Sequence, residues 1–450
     1  MTFGELPQLA ADVVQKALEL GATDAECTIA EGDEFSANLR MGELETLKEA
    51  GSRGAGLRVL IGKRMGASYT SDLTKEGIAR MVRSAIDLAD VTTEDPHAGL
   101  PDPDELGSLQ TDLKLYSDRT AELPTEERIV LAKRAEAAAL ETDPRITNSE
   151  GGSFDSSTSG RVFANSRGFL GSYRASYCSI AAVPVAMDNG MMERDYWFTI
   201  ARDYSTLDSP ESVGRKAAQR VLRRLGATKI ETRKVPVIFE PRIARTLLGN
   251  IFEAVDGRSI YRNASFLAGK LGEKIASDQI TLIDDGTIPG LFGSQPFDDE
   301  GVPTRRTPVI EKGVLKSYLL NTYTARKLGL KTTGNAARGI TGNAGIGHGN
   351  FFLEAGVTSP EDMLKSVKNG FYVTELIGSA VNTVTGDYSR GAVGIWIRDG
   401  ELAFPVSEVT IASTLQEMLN GIAAIGSDLE FHASVAAPTL MFGEMTVAGR

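Results

Sequence analysis

Residues 241–257, PRIARTLLGNIFEAVDG, constrain this chain more than any other stretch, because they read as a single helix. Pro241 suits the first helical position, where its missing N–H loses nothing, and Gly257 suits the residue just past the end. Ile243, Leu247, Ile251 and Val255 recur every four residues, and Ala244, Leu248 and Phe252 widen the stripe beside them. Such a helix is buried along much of its circumference. Gly249 and Asn250 nevertheless interrupt its middle, where Gly costs roughly 1 kcal/mol against Ala. The interruption implies that something approaches the backbone there, or once did.

A chain of 450 residues is too long for one ordinary core, so two domains are expected, 1–227 and 228–450. A net charge of -12 argues against a nucleic-acid surface, which needs clustered Lys and Arg to meet phosphate. The densest basic run, residues 215–224, fits the solvated face of an amphipathic helix. Cys27 and Cys178 are the two cysteines, far apart and without a pairing pattern, which suits a reducing cytoplasm and leaves no cysteine-based metal cluster. MTFGELPQLA lacks the basic and apolar regions of a signal peptide, and no apolar run approaches the roughly 20 residues of a membrane span. The expectation is a cytoplasmic protein with no membrane partner.

The first half alternates short strand patterns with helices. A helix at 6–20 precedes strands at 24–30, 34–41, 43–50 and 56–61, with a turn at 51–54, and a helix at 74–89 follows. Residues 90–123, rich in Pro, Asp and Gly, read as an exposed connection. A helix at 124–141, strands over 145–204 with turns at 148–152 and 165–168, and a helix at 209–225 repeat the plan. Two units, each a meander closed by a helix, are therefore expected in 1–227. The second half opens with a strand at 235–239, carries a long irregular loop at 280–308, and alternates strands and helices to a final strand near 439–445. The fold class expected is α+β, with mostly antiparallel sheets in both domains.

Chemistry is sparse in the residues themselves. Three histidines, His97, His348 and His432, allow no convincing Ser–His–Asp triad, and no two His or Cys share a plausible helix as zinc ligands would. His348 stands between Gly347 and Gly349, where a yielding backbone could present an imidazole to a ligand. It belongs to the glycine-rich run 334–350, with Asn343, but that run lacks the Gly-Lys-Ser/Thr ending of a phosphate loop. Asp387 and Ser389 sit in a second polar, glycine-flanked segment that turn chemistry explains equally well.

Residues 374–419, TELIGSAVNTVTGDYSRGAVGIWIRDGELAFPVSEVTIASTLQEML, resemble the C-terminal signature of the TldD/PmbA family. SFLAGKLGEKIAS at 265–277, GNAARG at 334–339 and AAPTLMFGEMTVAG at 436–449 add to the resemblance. It covers essentially the whole chain, is most specific in the second half, and is closest to the PmbA (TldE) branch. Catalytic members of the TldD type carry His-Glu-x-x-x-His on a helix before the SFLAGKLGE-like segment, two His for zinc and Glu as base. Counted back from Ser265 without a gap, that motif falls on 248–253, where Leu248, Gly249 and Glu253 replace the first His, the Glu and the second His. The family's further Cys ligand would fall at about 432–434, where no Cys stands.

The resemblance thus implies a chain with no catalytic or metal-ligating residues and no cofactor of its own. Zinc is expected in a TldD-type partner, the two together forming a cytoplasmic peptidase for unfolded peptides, including leader peptides and small unstable proteins. This subunit would supply chamber walls and peptide-binding edges, with Asn343, His348, Asp387 and Ser389 as candidate chamber-loop residues. Two alternatives remain: an independent hydrolase built on His348, Asp387 and Ser389, or a peptide-binding homo-oligomer, a homodimer when alone.

Overall fold

Strand pairing, rather than turn chemistry, decides the first half. In the computed structural model, which describes residues 2–378 and 380–449, helix α1 (Leu6–Glu19) leads into two very long strands, β1 (Asp24–Arg40) and β2 (Glu43–Ile61). The expected breaks at 31–33 and 51–54 do not occur, because β1 and β2 pair from Asp24↔Leu60 to Arg40↔Glu43. β3 (Arg64–Thr70), α2 (Lys75–Val91), α3 (Asp118–Ala121), α4 (Thr125–Leu140) and β4 (Ile146–Asn165) follow. β5 (Leu170–Asp188), β6 (Met191–Arg194), β7 (Trp197–Ala201) and α5 (Pro210–Leu222) complete this half. Its strands form one antiparallel sheet in the order β3-β2-β1-β4-β5-β6, with β7 also paired to β5. Residues 148–152 run inside β4 rather than turning, and two irregular steps in the β4–β5 register accommodate them.

Alternation along β1 sorts its side chains to two faces. Cys27 and Ile29 lie in the core beneath α1 and α2, and Phe35, Ala37 and Leu39 in the core beneath α4 and α5. Four helices therefore cover one face. Glu26 and Thr28 point to the other face and are buried there as completely, because the second half covers them. Much of the connection 90–123 is exposed, as expected, but Leu100, Leu113, Leu115 and Leu123 are buried and anchor it to the fold.

In the second half β8 (Arg233–Phe239) precedes α6 (Pro241–Val255) and α7 (Gly257–Tyr261). Then come β9 (Leu282–Asp285), β10 (Arg306–Glu311), β11 (Val314–Leu315), α8 (Thr322–Leu328), β12 (Ala336–Ala337), β13 (Gly345–Ile346) and β14 (Asn350–Leu353). α9 (Pro360–Ser366), β15 (Asn369–Ile377), β16 (Asp387–Arg398), β17 (Glu401–Thr414), α10 (Leu415–Asn420), β18 (Ile422–Ile425), β19 (Val435–Ala436) and β20 (Leu440–Ala448) end it. Within the expected loop 280–308, β9 is wholly buried and pairs with both β10 and β14 in a sheet ordered β11-β10-β9-β14-β19. A second sheet runs β17-β16-β15-β8-β20-β18, and β17 also pairs with β20. That extra pairing closes five strands into a ring, which removes their free edges. The fold is α+β with predominantly antiparallel sheets.

α6 lies between these layers, packed against β14 and β19 on one side and β8 and β15 on the other. Ile243, Ala244, Leu247, Leu248, Ile251, Ala254 and Val255 are buried, as their spacing predicts. Gly257 is not a free terminator. It opens α7 behind the cap residue Asp256, and a Cβ there would lie 2.6 Å from Leu320 Cδ2. Close packing of α7 on α8 is what requires glycine at that point.

The glycine-rich run 334–350 ties the two halves together. Its backbone N–H groups are held by carboxylates of the second half: Ala336 donates to Asp298 at 2.9 Å, Arg338 to Asp299 at 2.7 Å, and Gly349 to Asp284 at 2.7 Å. Its side chains and tip reach the first half. Arg338 pairs with Glu26 and donates to Thr28, Arg161 donates to the Arg338 carbonyl, and Ile340 rests on β2 at Gly54 and Gly56. Among the described residues no helix is long and apolar enough to cross a membrane.

Candidate functional site

The uncovered side of α6 is the feature around which polar groups and cavities gather. It is formed by Arg242, Arg245, Thr246, Gly249, Asn250 and Glu253, opposite the buried stripe. The N-terminal end of α6 is fixed by charge. Glu240, its cap residue, accepts from Arg220 at 2.6 Å and from Arg223 at 2.9 Å, both at the end of α5. Asp195 adds contacts to Arg220 at 3.3 Å and Arg242 at 3.5 Å. Burial disfavours the Arg220 cation, but Glu240 and Asp195 overcome it and raise its pKa above the usual range.

Gly249 has open space where its side chain would be, with no atom within 4 Å of a Cβ. The expected close approach to the backbone is therefore absent, and Asn250 turns its amide back to the Thr246 carbonyl at 3.1 Å. Leu248 is buried in the core and Glu253 is exposed. These positions do not fit a zinc ion. One aliphatic side chain, one hydrogen and one solvated carboxylate offer a single donor, where catalytic zinc takes three protein ligands. Among the described residues no group of three or more His, Cys, Asp or Glu is arranged to hold a metal.

His348 meets this helix at its other end. Its ring stands edge-on to Phe252, with centroids 4.9 Å apart, and lies 6.0 Å from Phe351. Nδ1 is 2.8 Å from the Gly349 carbonyl, which can only accept, so Nδ1 carries the proton and Nε2 is left with a lone pair. Burial among aromatic rings lowers its pKa and keeps the imidazole neutral. Phe252 thus packs on His348 of the glycine-rich run and on Phe351 of β14.

The other sequence candidates lie apart from His348. Asp387, at the exposed start of β16, accepts from Thr385 in its own turn, and Ser389 is exposed two residues on. No hydrogen bond joins His348, Asp387 and Ser389 among the described residues, so the structure does not assemble them into a catalytic group. Asn343 lines a cavity of about 500 Å³ where the halves meet, its Oδ1 3.5 Å from Arg58 Nη1. His432 lines a second cavity, of about 260 Å³, at the N-terminal end of α6, bonded to Glu430 at 2.9 Å and edge-on to Trp197.

A third cavity, of about 300 Å³, opens between Arg242 and Arg245 of α6 and residues of β6, β15 and β16, including Arg194, Glu375 and Arg390. Reading the sequence linearly misses it, because its residues come from separated segments. The one local signal is Arg242 and Arg245, three apart and therefore neighbours on the polar side of an amphipathic helix.

Comparison with known proteins agrees with this architecture throughout. The PmbA/TldA metallopeptidase C-terminal domain matches residues 232–449, the central domain of that family 118–225, and its domain 1 residues 25–89. Metalloprotease PmbA of Escherichia coli O157:H7 is 41% identical over 442 residues, covering 98% of this chain and 96% of that protein. A Haemophilus influenzae PmbA homologue is 35% identical over 99% of this chain and 96% of its own length. Among solved structures, a proposed modulator of DNA gyrase from Bacteroides thetaiotaomicron superposes with a TM-score of 0.92 at 29% identity, over 98% of both chains. TldE from Thermococcus kodakarensis shares the fold, with a TM-score of 0.88 at 24% identity, over 98% of this chain and 100% of that one. Three consecutive domain matches and a relative aligned almost end to end leave one conclusion: this chain belongs to the PmbA/TldD metallopeptidase family.

Proposed function

We propose that this chain is the PmbA/TldE-like, non-catalytic subunit of a two-component cytoplasmic zinc peptidase, and that it binds unfolded peptide beside α6. A TldD-type partner supplies zinc and the hydrolytic step. The observation that carries the reading is the polar side of α6, open and flanked by cavities; in the register the resemblance implies, the zinc positions fall on Leu248, Gly249 and Glu253 of this helix. An open helix face with too few ligands to hold a metal serves contact rather than chemistry. Membership of a family of metallopeptidases supports proteolysis as the setting.

In this role the chain's own residues orient and enclose. Glu240, Arg220 and Arg223 fix the entrance of α6, and Phe252 with His348 forms an aromatic wall at its far end. Neutral His348 offers an acceptor at Nε2, suited to a backbone N–H of an extended peptide.

The test is metal content and peptidase activity of the purified chain, alone and co-expressed with a TldD-type subunit. The chain alone is expected to hold no stoichiometric zinc and to leave unstructured peptides intact. The co-expressed pair is expected to purify together and to cleave them. Stoichiometric zinc in the isolated chain, or no gain in cleavage from the partner, overturns the reading.

A further inference from the structure

The 300 Å³ cavity beside α6 carries more positive charge than its surroundings neutralise. Five arginines line it, Arg194, Arg224, Arg242, Arg245 and Arg390, against two acids, Asp195 and Glu375. Both acids are already engaged. Asp195 serves Arg220 and Arg242, and Glu375 serves Arg224 at 2.6 Å. Arg194 pairs away from the cavity with Glu150 at 3.1 Å. Among the described residues Arg245 makes no hydrogen bond or ion pair, and the buried Nε of Arg390 has no partner. In a chain of net charge -12, acids to neutralise two guanidiniums are not scarce. That neither Arg245 nor Arg390 has one here points to an anion that arrives from outside.

The environment sharpens the point. Burial, followed by the nearby Arg220 charge, pushes the Arg242 pKa below the usual guanidinium range, so the cluster is crowded with like charge. An added anion relieves that crowding. A guanidinium presents a planar fork of N–H donors that matches a carboxylate, and hydrogen bonds to such a charged acceptor are shorter and stronger than neutral ones. The volume lies at the low end of small-ligand sites, of order 300 Å³, which suits one side chain or one chain terminus. A long polyanion would meet the repulsion of the whole acidic molecule. Leu376 supplies an apolar wall, and the cavity is continuous with the open side of α6 through Arg245 and Thr246.

We infer that this cavity is a carboxylate-recognition site, in which Arg245 and Arg390 bind a carboxylate of an unfolded peptide and so set its register along α6. The carboxylate is a C-terminal α-carboxylate or an Asp or Glu side chain, and the two share the same chemistry. This rests on the reading of the chain as a peptide-binding subunit.

Isothermal titration calorimetry of the full chain with three otherwise identical, unstructured peptides tests it. One has a free C-terminal carboxylate and no acidic residue, one is amidated with a single Glu, and one is amidated without acid. At least one carboxylate-bearing peptide is expected to bind about tenfold or more tightly than the neutral amide, and which one does so identifies the source. The Arg245→Ala/Arg390→Ala double variant is expected to erase that preference, so that all three peptides bind it alike. Arg245→Lys, which keeps the charge and loses the fork, is expected to give an intermediate preference, and serves where the double variant loses its cooperative thermal transition. Equal binding of all three peptides, or a preference that survives substitution, overturns the carboxylate site alone. No binding by any peptide overturns it together with the peptide-binding reading beneath it.

Discussion

At the scale of single residues, Asp284 and Gly56 show how the glycine-rich run is held. Asp284 accepts from Gly349 N–H and from Asn335 Nδ2, both at 2.7 Å, yet burial pushes its pKa up to about 7. An acid whose folded pKa exceeds its unfolded value, about 3.9, contributes stability that is complete below the unfolded pKa. That contribution is lost as pH rises toward 7. The thermal midpoint of Asp284→Asn, measured between pH 4 and pH 8, should therefore fall less steeply with rising pH than that of the native protein. Parallel profiles would rule Asp284 out as the group responsible. Gly56 makes a separate prediction. Its missing side chain leaves room for the Ile340 carbonyl, which a Cβ would overlap outright. Gly56→Ala should destabilise by about 1–3 kcal/mol in chemical denaturation, whereas Gly168→Ala, in a turn with nothing nearby, should show only the smaller strain of its positive φ.

At the scale of elements, α6 and the strand β8 that precedes it were legible, and the long unbroken strands of the first half were not. A 3.6-residue period is a property of one segment, so the buried stripe from Ile243 to Val255 could be read directly. β1 and β2 run unbroken through polar and glycine-containing stretches because neighbouring strands satisfy their backbones, and pairing partners are invisible in a linear pattern. The same reason hid β9, whose surroundings are dense in Asp, Gly and Pro although its four residues are buried. Of the site, the burial of Leu248 and the exposure of Glu253 follow from the helical period. The arginine cavity was not legible, since β6, α6 and β16 each contribute a part of it. Two predictions belong here. Gly249→Ala, at a helical position open to solvent, should stabilise by about 0.5–1 kcal/mol in denaturant titration. A loss of stability instead would mean that something packs on that face. Glu240→Ala removes the acid shared by Arg220 and Arg223 and leaves Arg220 buried with Asp195 alone. It should cost about 3–5 kcal/mol, visible as a lowered midpoint in the same titration.

At the scale of the molecule, charged contacts set in a buried seam help to join the halves. Burial disfavours ionised Glu26, but the charges of Arg338 and Arg58 overcome it and hold its pKa below the usual carboxylate range. Arg58 meets Glu26 at 2.6 Å across β1 and β2, and Arg161 meets Asp299 at 2.9 Å. Arg338→Ala should therefore loosen the seam rather than either half. Hydrogen exchange is expected to rise in residues 334–350 and in the paired portions of β1 and β2, while the core beneath α4 and α5 keeps its protection. Uniform loss of protection would show that the halves unfold as one unit.

The ring of strands in the second half has a consequence for how the chain is made. β8 pairs with β20, and the ring shuts only where β20 also meets β17. As the chain leaves the ribosome, β8 and α6 emerge long before residues 440–448, so the Val237 and Phe239 backbone must wait with one side unpaired. During that interval β8 is an adhesive edge, able to take any extended segment nearby. The open face of α6 is thus built on a strand whose last neighbour lies far later in the chain, and that face takes its final form only after the ring has finished pairing with itself.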